Sequence, residues 1–503
     1  MTADLLLAID QGTTSTRAIA HDLALRPVAS ASVPLETRHP RPDWVEQDPE
    51  EIVDSVVEAV ARVLAEVGGP DRIAAVGLDN QGETVVAWEA ETLRALSPAI
   101  VWQCRRSTPI VERLRARGLE PQITARTGLP LDPYFSAGKL TWLLEHEPAV
   151  EAAAGRGTLR FGTVDAWLTA RLDGGNARTD TSTASRTQLL SLATLDWDAD
   201  LLDWFEVGRE TLPPIGPTAG DLGTIGHPRW RSALPLRALA CDQQAALAGH
   251  AGIVPGALKA TYGTGVFLLA NAGRARAPAP GLETSVGWTL PGGRTDFVRQ
   301  GGVFAAGTVV DWLRDHLGFV AEATEVDAVA GSADPMSSVR VLPALSGLGV
   351  PWWDPTARAV VAGLTPASGR ADIVRGALGG IAQLVADVVD AIAPSLPAAP
   401  AELRADGGLT ASGYLMQRQA DLLGIPVAVA TARESTAVGI AALAGVGAGR
   451  LGLDAASTAN PVAARFEPRL GEADRRRERD AWRTFVESSI GRSPSAGGGP
   501  AGR

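Results

Sequence analysis

Small residues, hydroxyls and carboxylates gather at three turns in patterns that could handle a phosphate. The first is Asp10-Gln11-Gly12-Thr13-Thr14-Ser15, where an aspartate closes an apolar run and a small-residue turn follows. Glycine lets the backbone approach a phosphate, hydroxyls and amides donate to it, and the aspartate can hold Mg2+ directly or through water. Taken alone, the same residues also describe a plain hairpin turn. Gly263-Thr264-Gly265 repeats the pattern. Asp406-Gly407-Gly408 precedes a helix expected over residues 411–423, so a glycine pair stands before a helix N-terminus whose amides and dipole favour an anion. A further carboxylate stands in Cys241-Asp242-Gln243-Gln244, where it could be a helix N-cap.

These turns need strands and helices to hold them. Residues 5–9 and 16–20 read as two short strands around the first turn, and 259–270 repeats apolar run, Gly-Thr turn, apolar run. Asp48-Pro49-Glu50-Glu51 opens a helix with an N-cap, a proline at the first helical position and early acids. Ile52, Val56, Val60, Val63 and Val67 recur at helical spacing until Gly68-Gly69 stops them, and residues 73–78 form a strand. Strands alternating with amphipathic helices give a layered α/β architecture. Two large lobes, 1–250 and 251–490, fit the duplicated hairpin, with a Gly/Pro/Ser-rich disordered tail over 491–503.

Composition narrows the function classes. The chain has 503 residues, with 46 Lys+Arg against 57 Asp+Glu, a net charge of −11 that advertises no phosphate-backbone-binding stripe. Its 45% hydrophobic content supports a large core. Two cysteines, Cys104 and Cys241, exclude a disulfide scaffold, and six histidines show no metal-ligand spacing such as HExxH. The N-terminal residues carry no basic segment of a signal peptide, and no apolar run approaches the ~20 residues of a membrane span. A reducing, cytoplasmic setting is the expectation. Arg475-Arg476-Arg477 lies among acids and reads as a solvated helix face.

The order of motifs resembles that of the FGGY carbohydrate kinases. It runs through the first turn, then Tyr134-Phe135-Ser136-Ala137-Gly138-Lys139-Leu140-Thr141-Trp142, Gly162-Thr163-Val164-Asp165-Ala166-Trp167, Cys241-Asp242-Gln243-Gln244-Ala245-Ala246, Thr261-Tyr262-Gly263-Thr264-Gly265 and Asp406-Gly407-Gly408. Within the family, Ala99-Ile100-Val101-Trp102-Gln103-Cys104-Arg105-Arg106 and Ser182-Thr183-Ala184-Ser185-Arg186-Thr187 are similar to the branch that acts on glycerol. The resemblance implies two ribonuclease-H-like, actin-like ATPase lobes with a central nucleotide and substrate cleft, the N-terminal lobe holding the acceptor and the C-terminal lobe the nucleotide. It also implies ATP and Mg2+, a small polyol substrate, no nucleic-acid or membrane partner, and a homodimer or homotetramer.

Residue by residue, the resemblance makes Asp242 the general base and puts Asp10 beside Mg2+ and the γ-phosphate. Thr13, Thr14, Ser15 and Arg17 would line the phosphate path, and a strand salt bridge is the competing reading of Arg17. Thr264, Gly307, Asp311, Gly408 and Ser412 would hold the nucleotide. Glu83, Trp102, Tyr134, Asp242, Gln243 and Phe267 would hold the polyol, with amides and carboxylates for hydroxyls and aromatic walls for carbon. The expected acceptor is glycerol, then a longer polyol such as erythritol. A kinase-like sensor without turnover and a chaperone-like ATPase are the rival classes. Against the branch that acts on glycerol, the sequence departs at Gly82, where arginine is usual, at Asp311, where glutamine is, and at Ser412, where asparagine is. Loss of that arginine removes charged hydrogen bonds worth about 1.5–3 kcal/mol each, so Gly82→Arg is expected to tighten glycerol binding. Residues 226–235 differ from the segment that binds a sugar-bisphosphate regulator in some relatives.

Overall fold

The structure is a computed structural model that describes residues 3–250, 252–431, 434–453 and 461–490. The tail expected over 491–503 lies outside the described residues. Two compact units divide the chain: Met1–Gly256 with Asn271–Arg299 and Glu434–Pro461, and Ala257–Ala270 with Gln300–Arg433 and Val462–Arg503.

In the first unit, β1 (Leu5–Gln11), β2 (Ser15–His21) and β3 (Pro27–Pro34) form an antiparallel meander. β4 (Ile73–Asn80) and β5 (Leu234–Cys241) extend it in parallel on the β1 side. Parallel strands are covered on both faces, which is why Leu5 to Ile9 form an unbroken buried apolar run. One face carries the Pro49–Val67 helix, capped by Asp48 and ended by Gly68 in the left-handed region, its buried Ile52, Val56, Val60 and Val63 packed with the strands. The other carries the Ser435–Gly447 helix, which packs on β1, β4 and β5 and crosses the Asp242–Gly249 helix. That crossing is made of glycine and alanine: a Cβ on Gly249 would strike the Ser435 carbonyl, and one on Gly439 the Ala245 carbonyl. A four-stranded sheet with the Ser136–His146 helix forms a separate core around Leu140, Trp142 and Phe161.

The second unit repeats the hairpin-plus-parallel-strand scheme. β6 (Leu258–Tyr262) pairs antiparallel with β7 (Val266–Asn271) and parallel with β8 (Leu403–Asp406), followed by β9 (Val427–Ala430) and the antiparallel β10 (Val462–Phe466). The Arg370–Ile392 helix is long and apolar enough to cross a membrane, but Leu378, Ile381, Val385 and Val388 are buried within the unit. It is a core helix, anchored through Asp387 to Arg479 at 2.5 Å and to the Trp482 indole at 2.9 Å. Arg476 and Arg477 pair with Glu472 and Asp474 on the exposed face of the Glu472–Ile490 helix, the solvated surface expected there.

Gly439→Ala tests the helix crossing. Inserting a methyl group against a fixed carbonyl should cost about 1–3 kcal/mol or more and lower the midpoint of thermal unfolding. Gly155→Ala, where an added Cβ meets nothing within 4 Å, should leave it in place. Equal midpoints for the two variants would contradict the packing.

Candidate active site

The C-terminal ends of β1, β4 and β5 lie side by side, because Asp10 registers with Asp79 and Asp79 with Ala240. Two carboxylates therefore meet at this edge, and a third, Asp242, begins the helix that follows β5. Asp79 is fully buried, and if ionised neither of its oxygens meets a donor. Burial, then the charges of Asp10 and Asp242, push its carboxyl well above the usual range. Its closeness to Asp10 raises it further and in turn holds Asp10 down. Burial raises Asp10 as well, opposed by that closeness and by the charge of Arg17. Asp242 is pushed up to about 7, first by burial and then by Glu83. Its Oδ1 accepts from the Gln243 amide at 2.7 Å and from the Cys241 thiol at 3.4 Å. Both cysteines are buried and free.

Beside Asp242 stands a buried ion cluster. Arg186 donates from Nε to Glu83 Oε1 at 2.7 Å and from Nη1 to Glu283 Oε2 at 3.1 Å, with its guanidinium 5.8 Å from the Tyr134 ring. Trp102 and Tyr134 meet edge to face at 5.6 Å. The Trp102 indole donates to Thr13 Oγ1 at 2.9 Å, so the phosphate-type turn and the aromatic wall are joined by one hydrogen bond. A relay behind it fixes the main chain: the Trp102 amide donates to Thr84 Oγ1, Thr84 to Gln81 Oε1, and Gln81 to Gln47 Oε1, while Gln47 donates to the Thr13 carbonyl at 2.6 Å. Lys139 is buried and donates to the carbonyls of Pro133, Tyr134 and Phe135, pinning the turn that presents Tyr134. Burial draws its pKa down to about 8.

Asp10, Thr13, Glu83, Trp102, Tyr134, Asp242 and Gln243 thus all belong to the first unit. Thr14 is exposed and Ser15 half-buried on the same turn. Arg17 faces Asp10 across the hairpin and is ion-paired with Glu434, so its strand salt bridge is real. The signal missed in the sequence was Asp79, which ends an apolar strand just as Asp10 does, and Arg186, whose partners lie 103 and 97 residues away.

The nucleotide candidates belong to the second unit. The Gly307 amide donates to the Gly263 carbonyl at 3.0 Å and that of Ala306 to Thr264 at 2.8 Å, so the Gly307–Asp315 helix starts directly on the Thr264 turn. A Cβ on Gly307 would lie 2.7 Å from the Gly263 oxygen, which requires glycine there. Gly407 has φ +94°, and a side chain at it would strike Tyr262, whereas the space around Gly408 is open. Ser412 caps the Gly413–Leu423 helix by accepting from Leu415 at 3.0 Å and donates to Asp327. Its hydroxyl is therefore committed. Asp311 is exposed and paired with Arg314 at 3.0 Å. Phe267 is on β7 in this unit, 41% exposed, apart from the other polyol candidates in chain organisation.

The chain belongs to the FGGY family of carbohydrate kinases: the family's N-terminal domain matches residues 5–249 and its C-terminal domain residues 258–448. It is similar to the glycerol kinase of Citrifermentans bemidjiense, 43% identical over 97% of this chain and 99% of that one. The glycerol kinase of Thermus brockianus is 44% identical over 97% and 98%. Among solved structures, Plasmodium falciparum glycerol kinase with ADP superposes with a TM-score of 0.92 at 30% identity, covering 97% of this chain and 98% of that one. A two-domain α/β carbohydrate kinase that uses ATP is what these matches establish.

Because Asp242 is raised, its linkage sign is fixed. An unfolded aspartate releases its proton near its ordinary value of 3.8, while the native one holds it to about 7. Its contribution to stability is complete below the unfolded value and lost as pH rises through about 7. Asp242→Asn should therefore unfold a few degrees higher than wild type at about pH 8.5, with the gap closing towards about pH 5. A gap independent of pH would refute the shift.

Proposed function

We propose that the protein transfers the γ-phosphoryl group of ATP to a hydroxyl of a polyol, with glycerol as the acceptor. The observation that carries this reading is Asp242, a carboxylate held near neutrality beside the Glu83–Arg186 pair and the Trp102–Tyr134 wall. A base of that strength suits proton removal at neutral pH, and Gln243 next to it supplies an amide for a second hydroxyl. The names of the relatives at 43% and 44% identity support glycerol.

In this reading Asp242 accepts the proton of the attacking hydroxyl, Glu83 accepts from a neighbouring hydroxyl, and Trp102 and Tyr134 cover the carbon chain, with Phe267 supplying a further aromatic face. Thr13, Thr14 and Ser15 offer donors to the phosphate, and Thr264, Gly307 and Gly408 hold the nucleotide by backbone approach. Ser412 and Asp311 serve there through main chain, since their side chains are engaged. Asp10 would hold Mg2+. Asp10 and Asp242 are oxygen donors, and among the described residues no three His, Cys, Asp or Glu side chains form a complete ligand set. That fits an ion that keeps much of its shell as water and phosphate oxygen. When bound, Mg2+ neutralises charge developing on the transferred group. A cytoplasmic location and a homo-oligomer accompany the reading.

A coupled ADP-release assay over glycerol, erythritol and pentitols should show the highest kcat/KM with glycerol. Asp242→Asn should lose about 10²- to 10⁴-fold in kcat with nucleotide affinity held within a few-fold. An acceptor tenfold better than glycerol would overturn the acceptor, and no turnover with any of them the kinase reading itself.

A further inference from the structure

Position 82 is glycine for a reason the structure supplies. Gly82 is absent from the residues with positive φ, so its backbone would suit any side chain. Packing forbids one: an added Cβ would lie 2.5 Å from Cys241 Sγ, 3.7 Å from Cys241 Cβ and 3.8 Å from Arg186 Cγ. Real Cβ atoms do not approach a sulfur so closely, so the thiol must move before any residue can stand there. Cys241 is not free to move. It is 1% exposed, its amide donates to Ser182 Oγ at 3.0 Å, and its thiol donates to Asp242. Gly82→Arg alone therefore disturbs the base it was expected to assist.

The donor lost at residue 82 has a replacement in the buried ion cluster. Arg186 is 2% exposed and donates through Nε to Glu83 and through Nη1 to Glu283. Its guanidinium reaches the two residues, Glu83 and Tyr134, that the acceptor reading already uses. A guanidinium carries five N–H donors, so the two carboxylate bonds leave others to meet a ligand hydroxyl.

We propose that Cys241 and Gly82 form one specificity determinant: the thiol fills the space in which a residue-82 side chain would begin, and Arg186 supplies the acceptor's guanidinium contact through Nη2. This rests on the polyol-kinase reading. It makes Cys241 a positioning residue and Arg186 a binding residue.

The test is a double-mutant cycle of Gly82→Arg, Cys241→Gly and both together, read as glycerol KM, kcat and unfolding midpoint. Gly82→Arg alone should raise KM at least tenfold and lower the midpoint, and adding Cys241→Gly should reverse both, a coupling that independent sites do not show. Arg186→Gln should raise KM more than tenfold beside Gly82 but less than threefold in the Gly82→Arg/Cys241→Gly background, where a guanidinium is restored. If Arg186→Gln fails to fold, Arg186→Lys takes its place in both backgrounds. Additive KM and midpoint changes, or a Gly82→Arg enzyme that alone binds glycerol more tightly, would overturn the pairing, and equal effects in both backgrounds would overturn the role of Arg186. A wild type inactive on every polyol defeats the functional reading instead, and the midpoints still decide the pairing.

Discussion

Parallel strands that end together bring their last residues together, and in the first unit those residues are acids. Asp10 and Asp79 face one another across β1 and β4, and Asp242 follows β5. Three ionised carboxylates in so little water would repel each other strongly, so protonation has to be shared among them. Asp79, the most deeply enclosed, is the one pushed well above the usual carboxylate range. The nearby arginines relieve the edge only in part, because each is also matched elsewhere: Arg17 by Glu434, and Arg186 by both Glu83 and Glu283. What remains is a carboxylate rim whose remaining need is for positive charge.

This same constraint explains how the side chains around it are arranged. Asp242 lies at a helix N-terminus, where the Gln243 amide partly offsets burial, and is held near 7 and not higher. Trp102 and Tyr134 could not be held by aromatic contact alone. The Gln47–Gln81–Thr84 relay fixes the first and the three-carbonyl grip of Lys139 the second. Each buried polar group in these supports finds a partner, and so they can be rigid.

Local features of the fold were readable in the sequence because local chemistry sets them. The hairpin around Gly12 to Thr14, the Asp48 cap, the Gly68 stop and the hairpin around Thr264 follow from turn glycines, capping oxygens and period. The helix expected from residue 411 begins at Gly413, since Ser412 is its cap and the residues before it form a tighter turn. The motifs single out Asp10, Glu83, Trp102, Tyr134 and Asp242, and all five belong to the first unit. Arg186 and Asp79 were not singled out, because a charge's role depends on what faces it, and their partners come from distant strands and loops. The side chain of Ser412 looked available and is consumed by Asp327, a residue 85 positions earlier.

Least visible of all was the return of the chain to the first unit at residues 434–461. The Ser435–Gly447 helix falls within the part of the chain that matches the family's C-terminal domain, yet it packs on β1, β4 and β5. Its sequence is almost all small and apolar, with no polar face to betray a surface. That composition is what the position demands, since Gly439 and Gly249 let two helices cross backbone to backbone. The helix that carries Asp242 is therefore seated by residues nearly two hundred positions further along the chain. Residues before 257 alone leave β1, β4 and β5 without that cover, and the apolar surface it buries would face water. Completion of the surroundings of Asp242 is thus tied to the fold of nearly the whole polypeptide, which a contiguous N-terminal lobe would not require.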